Sequence, residues 1–298
     1  MTSLLETHAV AKRYRHRWAL ADCTLTIPAG HVVGLVGPNG AGKTTLLHLA
    51  TGLLAPTSGT IEVLGDQPAA GPAQLAKVGF LAQDPALYAS LSVAEHLRLG
   101  AHLNPGWDAR LAADRISGLG LDPAQRAGKL SGGQRAQLAL TMALAKRPEA
   151  LLLDEPVASL DPLARRQFLQ DLMVAAAAGG LSIIMSSHLI GDLERVCDYL
   201  IVITAAQVRL AGEVDRLLSA HQLLTGPRRD RPSMPRGHQI IQQSYTVRQT
   251  TLLVRDGHPV HDPAWTSSPV GLEDMVLAYL SQPGGELPGP RPVLEVQR

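Results

Sequence analysis

The sequence predicts an α/β fold, a layered domain over about residues 1–220 followed by a small α+β extension over 221–298. Three observations carry this. From about Leu4 to Leu217, short apolar runs alternate with longer amphipathic ones, the pattern of strands and the helices that cover them. One of those runs, "HVVGLVG" at 31–37, passes straight into a glycine-rich turn and then into helical spacing. After Ala220 the composition shifts to Pro and Arg, which marks a boundary. A chain of 298 residues, 45% hydrophobic and 18% charged, buries a sizeable core and is not disordered.

Along the chain, "ADCTLTI" reads as a strand holding Cys23, and "HVVGLVG" as a buried strand. "KTTLLHLATGLL" has helical spacing, with Gly52 as a stop. "KVGFLAQ", "ALLLDEP" and "LSIIMSSH" read as further strands. "VAEHLRLGAHL" and "DARLAADRISGLG" read as helices inserted between Gln83 and Leu130, a small helical lobe over about 84–135. Cys197 is expected on the buried face of a helix. Neither cysteine has metal-ligand spacing, and both read as small buried hydrophobes in a reducing compartment. Beyond Ala220, "GPRRDRPSMPRGHQ" reads as a linker. Two strands follow ("IIQQSYTV" and "TTLLVRD"), then a helix in "GLEDMVLAYL", then a disordered Pro/Gly tail.

Net charge is +1, so no global field favours a nucleic-acid partner. The N-terminus has no apolar core before a cleavage site, and no apolar run approaches the ~20 residues that span a bilayer. The expected place is the cytoplasm, with any membrane-spanning work done by another chain.

Three motifs carry chemistry. "GPNGAGKT" fits the phosphate-binding pattern G-x-x-x-x-G-K-[ST] with Gly37, Gly42, Lys43 and Thr44 in the fixed places, between a strand and a helix. Pro38, Asn39, Gly40 and Ala41 complete the loop, and Thr45 continues it. Backbone N–H groups of such a loop wrap phosphates, Lys43 neutralises β/γ charge, and the Thr44 hydroxyl ligates Mg²⁺. "ALLLDEP" ends an apolar strand in two carboxylates. Beside a phosphate loop, Asp154 suits the Mg²⁺ shell and Glu155 suits a proton acceptor for attacking water. "LSGGQ" places Ser131 as a helix N-cap before Gly132, Gly133 and Gln134, which alone reads equally as a capped helix or a second phosphate seat.

With all three in this order, the chain resembles the nucleotide-binding subunits of ABC transporters over about Leu4 to Leu217. The resemblance implies a P-loop NTPase cassette with a RecA-like core, an antiparallel β subdomain and an α-helical subdomain. It implies an ATPase that binds ATP and Mg²⁺ between its own P-loop and the "LSGGQ" of a second cassette, identical or sibling, paired head to tail. Residue by residue, it implies that Tyr14 stacks on adenine and that Gln83 senses Mg²⁺ and the attacking water. It likewise gives Asp161 of "SLDP" the coupling of the two sites, and His188 of "MSSH" contact with the γ-phosphate. The partner implied is a separate transmembrane permease, with the cassette peripheral on the inner face of the membrane. "LNPGWDARLA" and the closing "GLEDMVLAYL" look similar to bacterial ABC-2-type exporters of drugs, antibiotics or lipid-like solutes. The alternative is a soluble ABC ATPase of DNA repair or translation, against which stand the single cassette and the absence of a heptad run. One departure is "TAAQ" after "YLIVI", where the family often has glycine.

Overall fold

The computed structural model describes residues 3–228, 239–255 and 263–282. Its centre is a six-stranded sheet in the order β5-β6-β7-β3-β8-β9. Five of these strands are parallel: β3 (Val32–Val36), β5 (Val78–Leu81), β6 (Ala150–Leu153), β7 (Ser182–Ser187) and β8 (Tyr199–Thr204). The edge strand β9 (Gln207–Glu213) folds back antiparallel on β8. The Thr204–Gln207 hairpin is closed by Ala205 and Ala206, both with positive φ (49° and 63°), so the turn is built from left-handed alanines where glycine would be unstrained.

The central strands are buried on both faces, which is why they read as unbroken apolar runs. Val32 and Val36, Leu151 and Leu153, Ile183 and Met185 face one side; Val33 and Leu35, Leu152 and Ile184 face the other. The second side is covered by α1 (Lys43–Ala50), through Leu46, Leu47 and Leu49. It also meets an antiparallel sheet of β1 (Ser3–Tyr14), β2 (Arg17–Pro28) and β4 (Ser58–Val63). A short helix, α2 (Pro72–Lys77), precedes β5. The first side is covered by α5 (Gly132–Ala145) and by α6 (Pro162–Ala177), whose Phe168 and Leu172 are fully buried. Between β5 and α5, helices α3 (Val93–Leu103) and α4 (Ala109–Gly118) pack on a cluster of their own with Val93, Ile116, Leu130 and Leu138.

After β7 the helix α7 (Ile190–Leu193) has a single turn, so Cys197 lies on the stretch leading into β8 and not on a helix face; its sulfur packs against Gly34. Burial pushes its thiol pKa up, as it does for Cys23, whose pKa is raised to about 11.

The C-terminal region differs from expectation at two places. Past α8 (Val214–Ser219), the expected linker already contains strand: Gly226 and Pro227 end β10 (His221–Pro227). With β11 (Gln239–Tyr245), β12 (Gln249–Arg255) and an unforeseen β13 (Thr266–Pro269) it forms an antiparallel sheet ordered β11-β12-β10-β13. A side chain at Gly226 would meet the Trp265 ring at 2.6 Å, which accounts for glycine mid-sheet. One face of this sheet (Ile241, Leu253) packs with α9 (Leu272–Leu280) into the main core, through Met275, Val276 and Tyr279; the other face holds Leu224, Leu252, Val254 and Trp265. The rest of the expected linker and the Pro/Gly tail lie outside the described residues. Among the described residues no helix is long and apolar enough to cross a membrane.

Candidate functional site

At the C-terminal end of β3 the chain turns through residues 37–42 into α1. Gly37 has no alternative, since a Cβ there would lie 2.2 Å from the Ile203 carbonyl oxygen. Gly40 and Gly42 take positive φ (77° and 114°), and Gly42 also abuts the Ala19 carbonyl. The N-terminus of α1 carries no side-chain cap, so its N–H groups face the loop available to an anion. Such ends of parallel strands, where a loop opens a helix, are where α/β folds bind ligands.

The resulting cavity, about 520 Å³, is lined by Tyr14, Asn39, Gly40, Ala41, Gly42, Lys43, Thr44, Thr45, Gln83, Glu155 and His188, with Arg17, Ala19 and Ala158. The structure therefore brings together residues from five separate stretches of the chain. Lys43, buried at 5% exposure, donates to the Gly37 carbonyl (2.7 Å) and pairs with Glu155 Oε1 at 3.2 Å. On its other oxygen Glu155 accepts from His188 Nδ1 at 2.6 Å. Burial pushes the Glu155 carboxyl up, but the hydrogen bonds from His188 and Lys43, with their charge, outweigh it and hold its pKa below the usual value. Glu155 is thus an ionised proton acceptor clasped by two donors.

Asp154 is not on the cavity wall. It is 3% exposed, and its Oδ1 accepts from the Ser186 hydroxyl at 2.7 Å. The same Ser186 oxygen accepts from the Glu155 backbone N–H at 2.8 Å, and Glu155 holds a strained φ of 45°. Ser186 on β7 therefore holds the Asp154 carboxylate and the backbone of Glu155. Sequence reasoning passed over it, because Ser186 is one of three buried serines in the strand Ser182–Ser187 and nothing local marks it out. Arg17 was also passed over, hidden among the basic residues of "KRYRHRW".

Tyr14, 47% exposed, stands opposite Arg17 at the end of the β1–β2 hairpin, with the Lys12 ammonium 5.6 Å from its ring centre. Gln83 lines both this cavity and a neighbouring groove with Asp84, Gly132 and Arg135. The remaining predicted residues lie elsewhere. Ser131 caps α5, its hydroxyl accepting from Gln134 N while the Gln134 side chain accepts from Ser131 N, a full capping box. Gly133 packs near Ala164. Asp161 caps α6 through Leu163 N and Ala164 N, both at 3.0 Å. Pro38 and Gly37 contribute carbonyls to Lys43 and not cavity wall.

Thr44 and Gln83 put hydroxyl and amide oxygens on the cavity wall, hard donors of the kind Mg²⁺ takes beside a phosphate, while Asp154 lies behind the wall with its Oδ1 engaged by Ser186.

Residues 20–158 match the ABC transporter family. An ABC transporter ATP-binding protein of Bacillus subtilis (strain 168), YxlF, is 34% identical over 225 residues, 74% of each chain. The chain belongs to the ABC transporter ATP-binding family. This cassette is an α/β P-loop NTPase that binds ATP, and its ATPase activity is coupled to transport. It is also similar to the thiamine import ATP-binding protein ThiQ of Salmonella choleraesuis (strain SC-B67), 36% identical over 203 residues, 66% of this cassette and 86% of that protein. Among solved structures it resembles an ATP-binding subunit of an ABC transporter, with TM-score 0.66 and 28% identity over 73% of this chain and 92% of the other.

Proposed function

We propose that residues 1–220 form the ATP-hydrolysing cassette of a transporter whose membrane-spanning permease is a separate chain, and that 221–298 are an accessory extension. What supports the reading is that the P-loop opens on a cavity that the Ser131–Gln134 stretch does not line. That stretch starts a helix away from the cavity and is left to serve a second cassette. In a head-to-tail pair each ATP lies between the P-loop of one copy and Ser131–Gln134 of the other, with Asp161 at the seam linking the two sites.

Within one site, Tyr14 stacks on the adenine and the backbone of 37–45 wraps the phosphates. Lys43 leaves Glu155 for the phosphate chain, which carries more negative charge than one carboxylate. Thr44, Gln83 and Asp154 would hold Mg²⁺, which when bound neutralises charge on the β- and γ-oxygens. Glu155, released from Lys43, takes the proton of the attacking water, while His188 turns to the γ-phosphate and Ser186 keeps the base in place. Closure of the pair pulls on the permease through the groove beside Gln83, and hydrolysis reopens it.

For direction, "LNPGWDARLA" and the α9 ending resemble exporters of drugs, antibiotics or lipid-like solutes, while the named relatives include thiamine import ATPases. We retain export. Lys43→Ala should abolish turnover and Glu155→Gln lower it roughly 10²–10⁴-fold; unchanged turnover in either variant removes that residue's role. A tagged pull-down from detergent-solubilised cells should bring a multi-spanning protein in stoichiometric amount. Ribosomal or DNA-maintenance proteins alone would overturn the transport reading. With that permease in vesicles, ATP on the cassette side drives solute away from it in an exporter and toward it in an importer.

A further inference from the structure

The charges around the nucleotide cavity do not balance locally, and the imbalance has an address. Lys43 is already satisfied by Glu155 and the Gly37 carbonyl. Glu155 is satisfied in turn by Lys43 and His188. Arg17 is the remaining formal charge on the wall. It is the first residue of β2, directly across the hairpin from Tyr14, and the tight turn between them (Arg15 at φ 53°) fixes where both side chains start. Its Nη2 lies 3.3 Å from where a Cβ on Gly40 would sit, so the guanidinium rests over the middle of the P-loop. Among the described residues no carboxylate comes within ion-pair reach of it, unlike Arg13, whose guanidinium sits over the Trp18 ring. Arg17 and Gly40 also form the rim shared with a second cavity of about 270 Å³, walled by His16, Trp18, Ala205 and Ala206.

We propose that Arg17 binds the phosphate chain of ATP and ADP, closing over it from the hairpin side while the P-loop holds it from below. The inference rests on the nucleotide reading of the cavity. A guanidinium is suited to this place because its planar fork donates two parallel hydrogen bonds to phosphate oxygens, and because it is unpaired it loses no existing partner on binding. It also makes the hairpin do two things at one end, with Tyr14 meeting the base and Arg17 the phosphates. A side chain at Gly40 would crowd the guanidinium, although the positive φ is what calls for glycine there.

The test is calorimetric titration of the full chain with ATP, ADP and adenosine at fixed Mg²⁺, comparing wild type with Arg17→Gln and Arg17→Lys. The expected result is about a 10-fold weaker Kd for ATP and ADP in Arg17→Gln, as for loss of a charge-assisted hydrogen bond at a partly exposed site. Adenosine affinity should be unchanged, Arg17→Lys should retain part of the loss, and the salt dependence of ATP binding should flatten in Arg17→Gln. Arg17 is exposed, so the nucleotide-free melting temperature should hold; were Arg17→Gln to lose it, the Arg17→Lys titration decides alone. Equal ATP affinity in wild type and Arg17→Gln overturns the proposal, and so does a loss shared equally by adenosine, which would place the effect at Tyr14. Failure of the wild type itself to bind ATP would instead remove the nucleotide reading beneath it.

Discussion

Glu155 concentrates several physical demands in one residue. Its backbone is held at a positive φ that costs about 1–3 kcal/mol, a conformation retained because Ser186 takes its N–H and neighbouring Asp154 anchors Ser186. Its side chain is ionised between Lys43 and His188. A carboxyl whose folded pKa is depressed stabilises the fold above its unfolded pKa of about 4.3, and that contribution is lost as pH falls through the lower folded value. The melting-temperature gap between nucleotide-free wild type and Glu155→Gln should therefore stay level from neutral pH down to the ordinary carboxylate range and shrink below it. A gap that closes well above that range would mean burial dominates and the carboxyl is raised. At this scale the sequence singled out residues that belong to spaced motifs, and of these Lys43 and Glu155 line one cavity whereas Asp154 lies behind its wall. It was silent on Ser186 and Arg17, whose importance comes from what folds next to them.

Among the elements, the segment after Gln83 has little regular secondary structure but a defined tether. Residues 84–92 are tied to α3 by His96, which is 1% exposed: its Nδ1–H donates to the Ser92 carbonyl (2.8 Å) and its Nε2 accepts from Tyr88 N–H (3.0 Å). His96→Leu should cost about 1–3 kcal/mol by orphaning the Tyr88 N–H and should speed amide exchange across 84–92; exchange as slow as in wild type would show the tether to be idle. The central strands were legible as unbroken apolar runs and the inserted helices as capped amphipathic ones, such as α3 with its Ser92–Glu95 capping box, whereas β1, β4 and α6 were not read individually. Strand β10 was not legible, because Gly226 and Pro227 punctuate it locally while seven register pairs with β12 and the Trp265 ring override that signal. All four residues of β13 are exposed, so no burial pattern marks it. The single turn of α7 was likewise read too long.

Over the whole molecule, α9 seals the same face of the central sheet as α5 and α6, so the described part of the C-terminal extension packs into the cassette's core. The two proposed nucleotide-binding stretches, by contrast, lie apart within one copy: Ser131–Gln134 is not among the residues that line the P-loop cavity. This division is what a pair of copies would resolve, and it can be tested by complementation. Lys43→Ala disables a P-loop. Gly132→Asp, at a position with open space around its Cβ and at a helix start that tolerates an acid, places negative charge where the other copy's phosphates would lie. Each variant alone should be inactive. The most direct measurement is ATP turnover of the two variants mixed: in a head-to-tail pair the mixed dimer keeps one intact site, made of the P-loop of the Gly132→Asp chain and the Ser131–Gln134 stretch of the Lys43→Ala chain, so turnover should reappear. If the mixture stays as inactive as its components while wild type turns over, the two seats do not meet across copies and the account is wrong.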